Sequence, residues 1–543
     1  MQNDTGTIRP IRQRCGMQPV EADGGTAAAD VCLVLEGTYP YVSGGVSTWV
    51  HDLIRSLPDL RFALVHIGPE RGACAEKRYP LPANVTGLTD LYCRDPSPRG
   101  RDTAALQRQA DAERRRHADA PRTSRVLGAI RRLHLENEVD EALFDDLASN
   151  DLSVGAFLHG QTSLDLTMDL YERLAPGASF LDFFWHYRSM HMPLVRLLAA
   201  QPPIAAVYHA VCTGYAGVLA AVWSHRTGRP LLLTEHGLYS RERNLELNRA
   251  AWFREPGEDR PSRAEEAIDD ATAACLRRMW MHFFRALAQC TYTRASVIVS
   301  LSDLHRKRQI VDGAPSGKTL VVPNGIDLER LHTRLRRAAS PGTHQRPVSV
   351  GFVGRVVPIK DVVTFIRACS LALRAVELDV RIIGPIDEDP AYVRRCRRLV
   401  AKLGLGRAVR FEGLWPPERI YSEIDVLVLT SFSEGQPLVI LESSAAGIPV
   451  VATDVGACRE LLEGRGDVDR QCGPSGIVTR LAAPEETAAA IVRLARDPWL
   501  RRRMGAAGRR RVATFYRESS TISTYRALYK GESWPASGGV STA

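Results

Sequence analysis

Short apolar runs alternate with longer amphipathic stretches along nearly the whole chain, and this alternation limits the fold more than any other feature. In the first half the runs are Val31–Leu35, Ala63–Ile67, Ala205–Tyr208, Leu231–Thr234, Val297–Leu301 and Thr319–Val322. The second half supplies Ser349–Val353, Val380–Ile383, Val409–Phe411, Asp425–Leu429, Val450–Thr453 and Gly476–Val478. Continuous runs of this kind, rich in Val, Ile and Leu, suit strands buried on both faces. Helical patterns between them then supply the cover, which makes the expected class α/β with parallel sheets. A chain of 543 residues with this many strands holds about two sheets. The expectation is two doubly wound, Rossmann-like domains.

Residues 1–29 are polar, Gly/Ala-rich and without period, and read as a disordered N-terminus. The first domain spans 30–328 and carries a largely helical insertion at about 95–200. The second spans 329–515, the junction being marked by the turn Asn324-Gly325 and the basic stretch that follows. The runs Arg114–Arg116, Arg501–Arg503 and Arg509–Arg511 read as solvated helix faces, the last two leaving an anionic partner or membrane surface open.

The formal charge of +9, from 71 basic and 62 acidic residues, favours small anions or an anionic surface. No RNP, zinc-finger or basic-zipper pattern accompanies it, so no nucleic-acid partner is expected. Eleven cysteines are scattered without a Cys-x-x-Cys pair, as in a reducing compartment. The N-terminus shows no apolar signal region, and the apolar stretch Ile204–Trp223 is broken by His209, Thr213, Gly214 and Gly217. A cytoplasmic location is expected.

The densest chemistry lies in Ser433-Glu434-Gly435-Gln436-Pro437-Leu438-Val439-Ile440-Leu441-Glu442. Pro437 suits a first helical turn, while Gly447 and Pro449 suit the stop. Glu434 then sits on the loop at the carboxyl end of Asp425–Leu429, with Glu442 inside the helix. Ligands bind at that end of an open α/β sheet, and two acidic acceptors there can hold two hydroxyl-bearing parts of one molecule. Upstream, Gly44-Gly45 precede a helix from Ser47 to Leu57, so backbone N–H groups and the helix dipole can face a phosphate. Gly354-Arg355 ends another strand and Lys360 follows, a fork of donors and a mobile point charge suited to a diphosphate. His236-Gly237 leaves the strand Leu231–Thr234 at the same kind of edge.

Other patterns are set aside. Gly313–Thr319 resembles a P-loop but has too few residues between its glycines and precedes a strand. Asp387-Glu388-Asp389 and Asp467-Val468-Asp469 are paired acids in turn-rich loops without a clustered third ligand. There is no His-Glu-x-x-His and no Gly-x-Ser-x-Gly.

The two-sheet layout, Gly44-Gly45, His236-Gly237, Gly354-Arg355 with Lys360, Glu434 with Glu442, and Val322-Pro323-Asn324-Gly325-Ile326-Asp327 together resemble the family-4 retaining glycosyltransferases of GT-B fold. The resemblance covers residues 30 to about 530. It implies two Rossmann-like domains facing across a deep cleft, with 516–543 forming a C-terminal helix that returns toward the first domain, then a flexible tail. It further implies a UDP-sugar donor, with Glu434, His236, Arg355 and Lys360 as the catalytic set. Arg355 and Lys360 neutralise the diphosphate, Gly44 and Gly45 bring backbone N–H groups to it or leave room for the donor, Glu442 takes the ribose, Glu434 the sugar hydroxyls, and His236 contacts the transferred sugar near the reacting carbon. Gly435, Gln436, Pro437 and Leu438 line the donor, and the base lies against loops containing Gly384 and Leu414. No metal or other cofactor is implied.

Leu35–Val42, Thr234–Gly237 with Arg241-Glu242-Arg243, and Ser433–Pro437 are most similar to the glycosyltransferases of bacterial Pel-type exopolysaccharide systems. That narrower resemblance implies transfer of a hexose or N-acetylhexosamine to a growing polysaccharide acceptor. It also implies an inner-membrane synthase complex as partner, with recruitment to the inner face of the membrane. Two rivals stand beside it: a non-catalytic nucleotide-sugar-binding subunit of such a complex, and a phosphorylase using pyridoxal phosphate.

Overall fold

Each half of the chain builds one all-parallel sheet. The computed structural model describes residues 28–72, 76–94, 124–136, 138–249, 270–331 and 346–532. The first sheet contains β1 (Ala29–Glu36), β2 (Phe62–Glu70), β3 (Val85–Arg94), β4 (Ala205–Ala210), β5 (Leu231–Glu235), β6 (Val297–Ser300) and β7 (Thr319–Val321), in the order β3-β2-β1-β4-β5-β6-β7. The second contains β8 (Val348–Val353), β9 (Leu378–Ile383), β10 (Val409–Gly413), β11 (Val426–Leu429), β12 (Val450–Thr453) and β13 (Gly476–Thr479), in the order β10-β9-β8-β11-β12-β13. The order reverses at β1/β4 and at β8/β11, the mark of doubly wound sheets. The apolar runs form the core because both faces are covered: every residue of β6, β11 and β12 is buried.

Every strand expected from an apolar run is present, and one further strand, β3, is not foreshadowed. Its sequence Val-Thr-Gly-Leu-Thr-Asp-Leu-Tyr-Cys-Arg carries polar residues throughout, and none of its residues is fully buried. It lies at the sheet edge against β2 alone, where one flank faces solvent and apolar continuity is unnecessary. The helical insertion therefore follows the third strand. Its described part comprises helices Arg125–Leu135, Glu141–Ala148, Val154–His159, Gln161–Leu174 and Phe180–Leu198. The expectations for residues 1–27, Arg114–Arg116, Cys15, Cys74 and 533–543 lie outside the described residues.

Before the last helix, the C-terminal region of the second domain carries a break. It is two helices, Pro484–Arg496 and Pro498–Phe515, divided where Asp497 caps the second by accepting from Leu500 N–H at 2.8 Å. Pro498 explains the break, since its ring cannot continue the preceding helix but suits a first position. A last helix, Glu518–Tyr529, returns to the first sheet, where Tyr525 and Tyr529 pack among Val31, Leu33 and Trp49. Polar contacts fix its register: buried His209 bonds the Tyr529 hydroxyl at 2.7 Å and Thr234 Oγ1 at 2.9 Å, and Thr234 in turn bonds the Tyr525 hydroxyl at 2.9 Å. Among the described residues no helix is long and apolar enough to cross a membrane.

Candidate functional site in the cleft

The site residues leave the sheets at their switch points. β8 runs into Gly354-Arg355 and the short turn Pro358–Lys360, while β11, its neighbour, runs into the loop holding Glu434. Lys360 Nζ donates to Glu434 Oε1 at 2.6 Å, and Ser431 Oγ donates to the same oxygen. The two side chains are only 20% and 9% exposed, so solvent screens this pair weakly. Their loops are cross-linked, Phe432 N–H to Ile359 O and Thr430 Oγ1 to Asp361 O, each at 2.9 Å. Asp361, at φ 46°, then caps the helix Val362–Ala372 through Thr364 N–H. The chain thus turns sharply just after Lys360 and holds its ammonium group beside the carboxylate.

Arg355 stands further out. Its guanidinium donates to Glu388 Oε1 at 2.6 Å, with both side chains partly open to solvent. Glu388, passed over as one of a pair of loop acids, is therefore the resting partner of a candidate diphosphate ligand. Glu442 lies in the second turn of the helix Leu438–Ala446, and its Oε2 accepts from the buried Tyr421 hydroxyl. Pro437 sits one position earlier than expected, at the N-cap, and Gly447 ends the helix in the left-handed conformation.

The first domain closes the cleft from the other side. Gly44 caps the helix Gly45–Arg55 with no side-chain bond to the first N–H groups. A methyl group built on Gly45 would lie 4.0 Å from Leu438 Cδ1, so this helix start faces the Glu434 loop. At Gly435 the two halves meet closely. Its carbonyl accepts from Ala457 N–H at 2.9 Å, and a Cβ on it would stand 1.7 Å from the His236 carbonyl oxygen. Only glycine fits there. Gln436 turns away from the cleft: its Oε1 accepts from Asn324 N–H at 2.6 Å, which ties the loop to the interdomain junction. Its side chain therefore acts at the junction, and a donor contact is left to its backbone.

His236 follows β5, and its ring meets Trp49 edge-on at 4.5 Å between centroids. Nε2 is buried with no hydrogen-bond partner, and burial pushes the imidazole pKa down to about 3. The preceding Glu235 fixes the end of the strand, its carboxylate accepting from Thr213, Tyr292, Gln309 and the Tyr239 N–H. On the opposite wall Gly384 has φ +144°, and a Cβ on it would meet the Gly354 carbonyl at 2.1 Å. Leu414 nearby is 77% exposed, an uncovered apolar surface at the end of β10. Sequence reasoning missed Ser431, Trp49 and Tyr421, and missed the role of Asn324 as a partner of the Glu434 loop. Each is a partner brought in by folding; Trp49, on the helix after the glycine pair, had a position that could have signalled it, and Asn324 reads as a junction turn, not as the partner of Gln436. Among the described residues no group of three or more His, Cys, Asp or Glu side chains could hold a metal ion.

The buried histidines set an acid limit. His209 and His236 both have pKa values pushed down to about 3 by burial, against about 6.5 unfolded. Their neutral forms therefore contribute stability that is fully present above about pH 6.5. It is lost as the pH falls toward their folded values, because the unfolded chain binds the protons first. Each should add about 1.4 kcal/mol per pH unit to the loss of unfolding free energy below about pH 6. Urea denaturation at pH 7.5, 6 and 5 checks this, and His209→Gln should reduce the slope.

Comparison with known proteins places the chain. Residues 29–317, more than half of it, match the family described as a domain of unknown function, DUF3492. The chain belongs to the DUF3492 family. Residues 347–497, around the second sheet, match the family described as glycosyl transferases group 1, so this DUF3492 protein joins the two domains in one chain. The D-inositol 3-phosphate glycosyltransferase of Geodermatophilus obscurus is 34% identical over 239 residues, 41% of this chain and 50% of that protein. The MMP alpha-(1->4)-mannosyltransferase of Mycolicibacterium hassiacum is 25% identical over 312 residues, 56% of this chain and 66% of that protein. The chain thus spans about half the length of the first of these relatives. Anabaena HepE, solved in complex with UDP and glucose, superposes with a TM-score of 0.55 at 14% identity, over 92% of this chain and 99% of that one. Sucrose-phosphate synthase from Thermosynechococcus elongatus gives 0.53 at 17% identity, over 92% and 98%. The architecture is GT-B.

Proposed function

We propose that this protein is a retaining glycosyltransferase that moves a hexose or N-acetylhexosamine from a UDP-sugar to a growing polysaccharide. The observation that carries the reading is the Lys360–Glu434 pair, largely buried at the switch point of the second sheet, with the adjoining Gly435 set against His236 of the first domain. Cleaving the anomeric bond places negative charge on the leaving diphosphate. Fixed cations beside it act most strongly in the transition state. Lys360 and Arg355 supply them, and no metal is needed for that charge. Glu434 positions sugar hydroxyls, Glu442 the ribose, and neutral His236 offers its unpartnered Nε2 to the transferred sugar. Retention follows if the acceptor enters on the face that the diphosphate leaves, with the departing phosphate taking its proton.

The glycosyltransferase names of the relatives and the UDP complexes of HepE support the donor class. The similarity of the Thr234–Gly237 and Ser433–Pro437 segments to PelF supports a role in Pel-type exopolysaccharide synthesis, in the cytoplasm at an inner-membrane complex. Purified protein should bind UDP and turn over one UDP-sugar in a product screen by mass spectrometry. UDP binding without turnover of any donor, tried with oligosaccharide acceptors, would instead indicate a nucleotide-sugar-binding subunit.

The Arg355–Glu388 pair gives a finer test. Exposed ion pairs are worth about 0–1 kcal/mol, so Arg355 exchanges Glu388 for a diphosphate at small cost. Glu388→Ala should therefore lower the donor KM by up to about 5-fold and leave kcat unchanged. A raised KM counts against Arg355 as a diphosphate ligand.

A further inference from the structure

A second cavity adjoins the cleft on the first domain. It encloses about 390 Å³ between the helices Phe180–Leu198, Tyr239–Arg249 and Asp270–Arg294. Trp185 and Trp280 supply indole surface, and Arg94, Arg243 and Glu246 supply polar groups. Trp185 is 59% exposed, with the edge-on ring of its neighbour Phe184 at 5.4 Å against it, a costly position for so large an apolar surface. Trp280 is held in place: its Nε1 donates to His186 Nδ1 at 2.9 Å, and its ring leans on Phe284 at 5.4 Å. Arg243 lies over the Tyr239 ring at 5.0 Å and donates to Glu246, so the polar rim is also ordered.

The cavity belongs to the same rim as the candidate active site. Arg94 ends β3 and His236 follows β5; all strands of this sheet are parallel, so both stand at its carboxyl edge. The cavity and the cleft also share a wall. A Cβ on Gly237, next to His236, would meet the Glu242 carboxylate at 1.9 Å, and Glu242 lies beside Arg243 and one turn before Glu246. A molecule seated against Trp185 and Trp280 therefore reaches toward the cleft along the helix that begins at Tyr239.

We propose that this cavity is an acceptor subsite that holds the sugar rings of the glycan behind its growing end. The inference rests on the glycosyltransferase reading above. A pyranose ring presents a C–H face and a rim of hydroxyls. Flat indole surfaces match the first, while a guanidinium fork and a carboxylate match the second. Both signs of charge border the cavity, which suits an uncharged glycan better than a polyanion. Its volume is within the usual range of small-ligand sites. A site of this kind grips the chain several sugars away from the reacting hydroxyl, so it sets the preference for long acceptors without touching the donor.

The probes are cellohexaose and chitohexaose, titrated into the whole protein by tryptophan fluorescence and calorimetry, with UDP titrated separately. The expected result is binding of at least one hexasaccharide by the wild type. Trp185→Ala should weaken it at least about 10-fold and leave UDP affinity unchanged; loss of one good aromatic contact is worth about that much. Because Trp185 is largely exposed, the variant should fold normally, and unchanged UDP affinity verifies this. Equal hexasaccharide affinity in wild type and Trp185→Ala overturns the proposal. So does a wild type that binds UDP but neither hexasaccharide, which would leave the donor reading standing. Hexasaccharide binding without UDP binding upholds the subsite and overturns the donor reading instead.

Discussion

Lys360→Ala is expected to lower kcat for donor turnover by about 10²–10³-fold, the usual cost of removing one fixed donor from a developing oxyanion. Two effects act together. On the proposed reading the transition state loses a cation placed where charge accumulates on the diphosphate, and the resting protein is left with Glu434, 9% exposed, whose ammonium partner at 2.6 Å has gone. The second effect also disturbs the carboxylate assigned to the sugar hydroxyls, because the Ser431 hydroxyl is then left to hold it. UDP affinity, measured by calorimetry, should fall far less than kcat, since the proposed site gives ground-state phosphate two further contacts, Arg355 and the open start of the helix Gly45–Arg55. Lys360→Arg should not restore full activity: a planar fork cannot occupy the space of a point charge that is gripped by Glu434. Wild-type kcat in Lys360→Ala would remove the pair from the mechanism.

The same pair shows what could be read from the sequence. Glu434 and Lys360 were identifiable because each follows a strong apolar strand, and a doubly wound sheet brings the ends of neighbouring strands together. Strand runs such as Val426–Leu429 are legible for the same reason, being buried on both faces. What escaped depends on partners chosen only in three dimensions. β3 is an edge strand and carries no apolar run. Gln436 looked like a donor contact because it lies inside the motif, yet folding turns it to Asn324. Glu388 looked like half of an acidic decoy and is the counter-ion of Arg355. Exposure and pairing are tertiary properties, and local composition reports them weakly.

Arg511 is the sharpest such case, and it leads to the largest stability effect expected in the molecule. Within the run Arg509–Arg511 it reads as a solvated cation, but its side chain is 1% exposed and its Nε donates to Asp469 Oδ1 at 2.6 Å, with Asp469 itself 7% exposed. The remaining N–H groups donate to the carbonyls of Leu462 at 3.0 Å and Gly473 at 2.8 Å and to Ser475 Oγ at 3.0 Å. Every face of the guanidinium is thus occupied, and among the described residues Asp469 alone forms an ion pair with it. Asp469→Ala leaves that charge buried and should destabilise the protein by about 3–5 kcal/mol in urea denaturation. Asp469→Asn keeps a neutral acceptor and should cost less. In Arg511→Met with Asp469→Ala both charges are gone, so most of the loss should return, giving strong non-additivity in the cycle. The effect should also reach the cleft. The helix Cys458–Glu463, to which Arg511 is bonded at Leu462, begins just after Ala457, whose N–H holds the Gly435 carbonyl at 2.9 Å. A loosened Asp469 variant should therefore lose donor turnover below its unfolding midpoint, whereas the double variant should regain both. If Asp469→Ala costs under about 1 kcal/mol, the magnitude of a surface pair, Arg511 is not the structural staple described here.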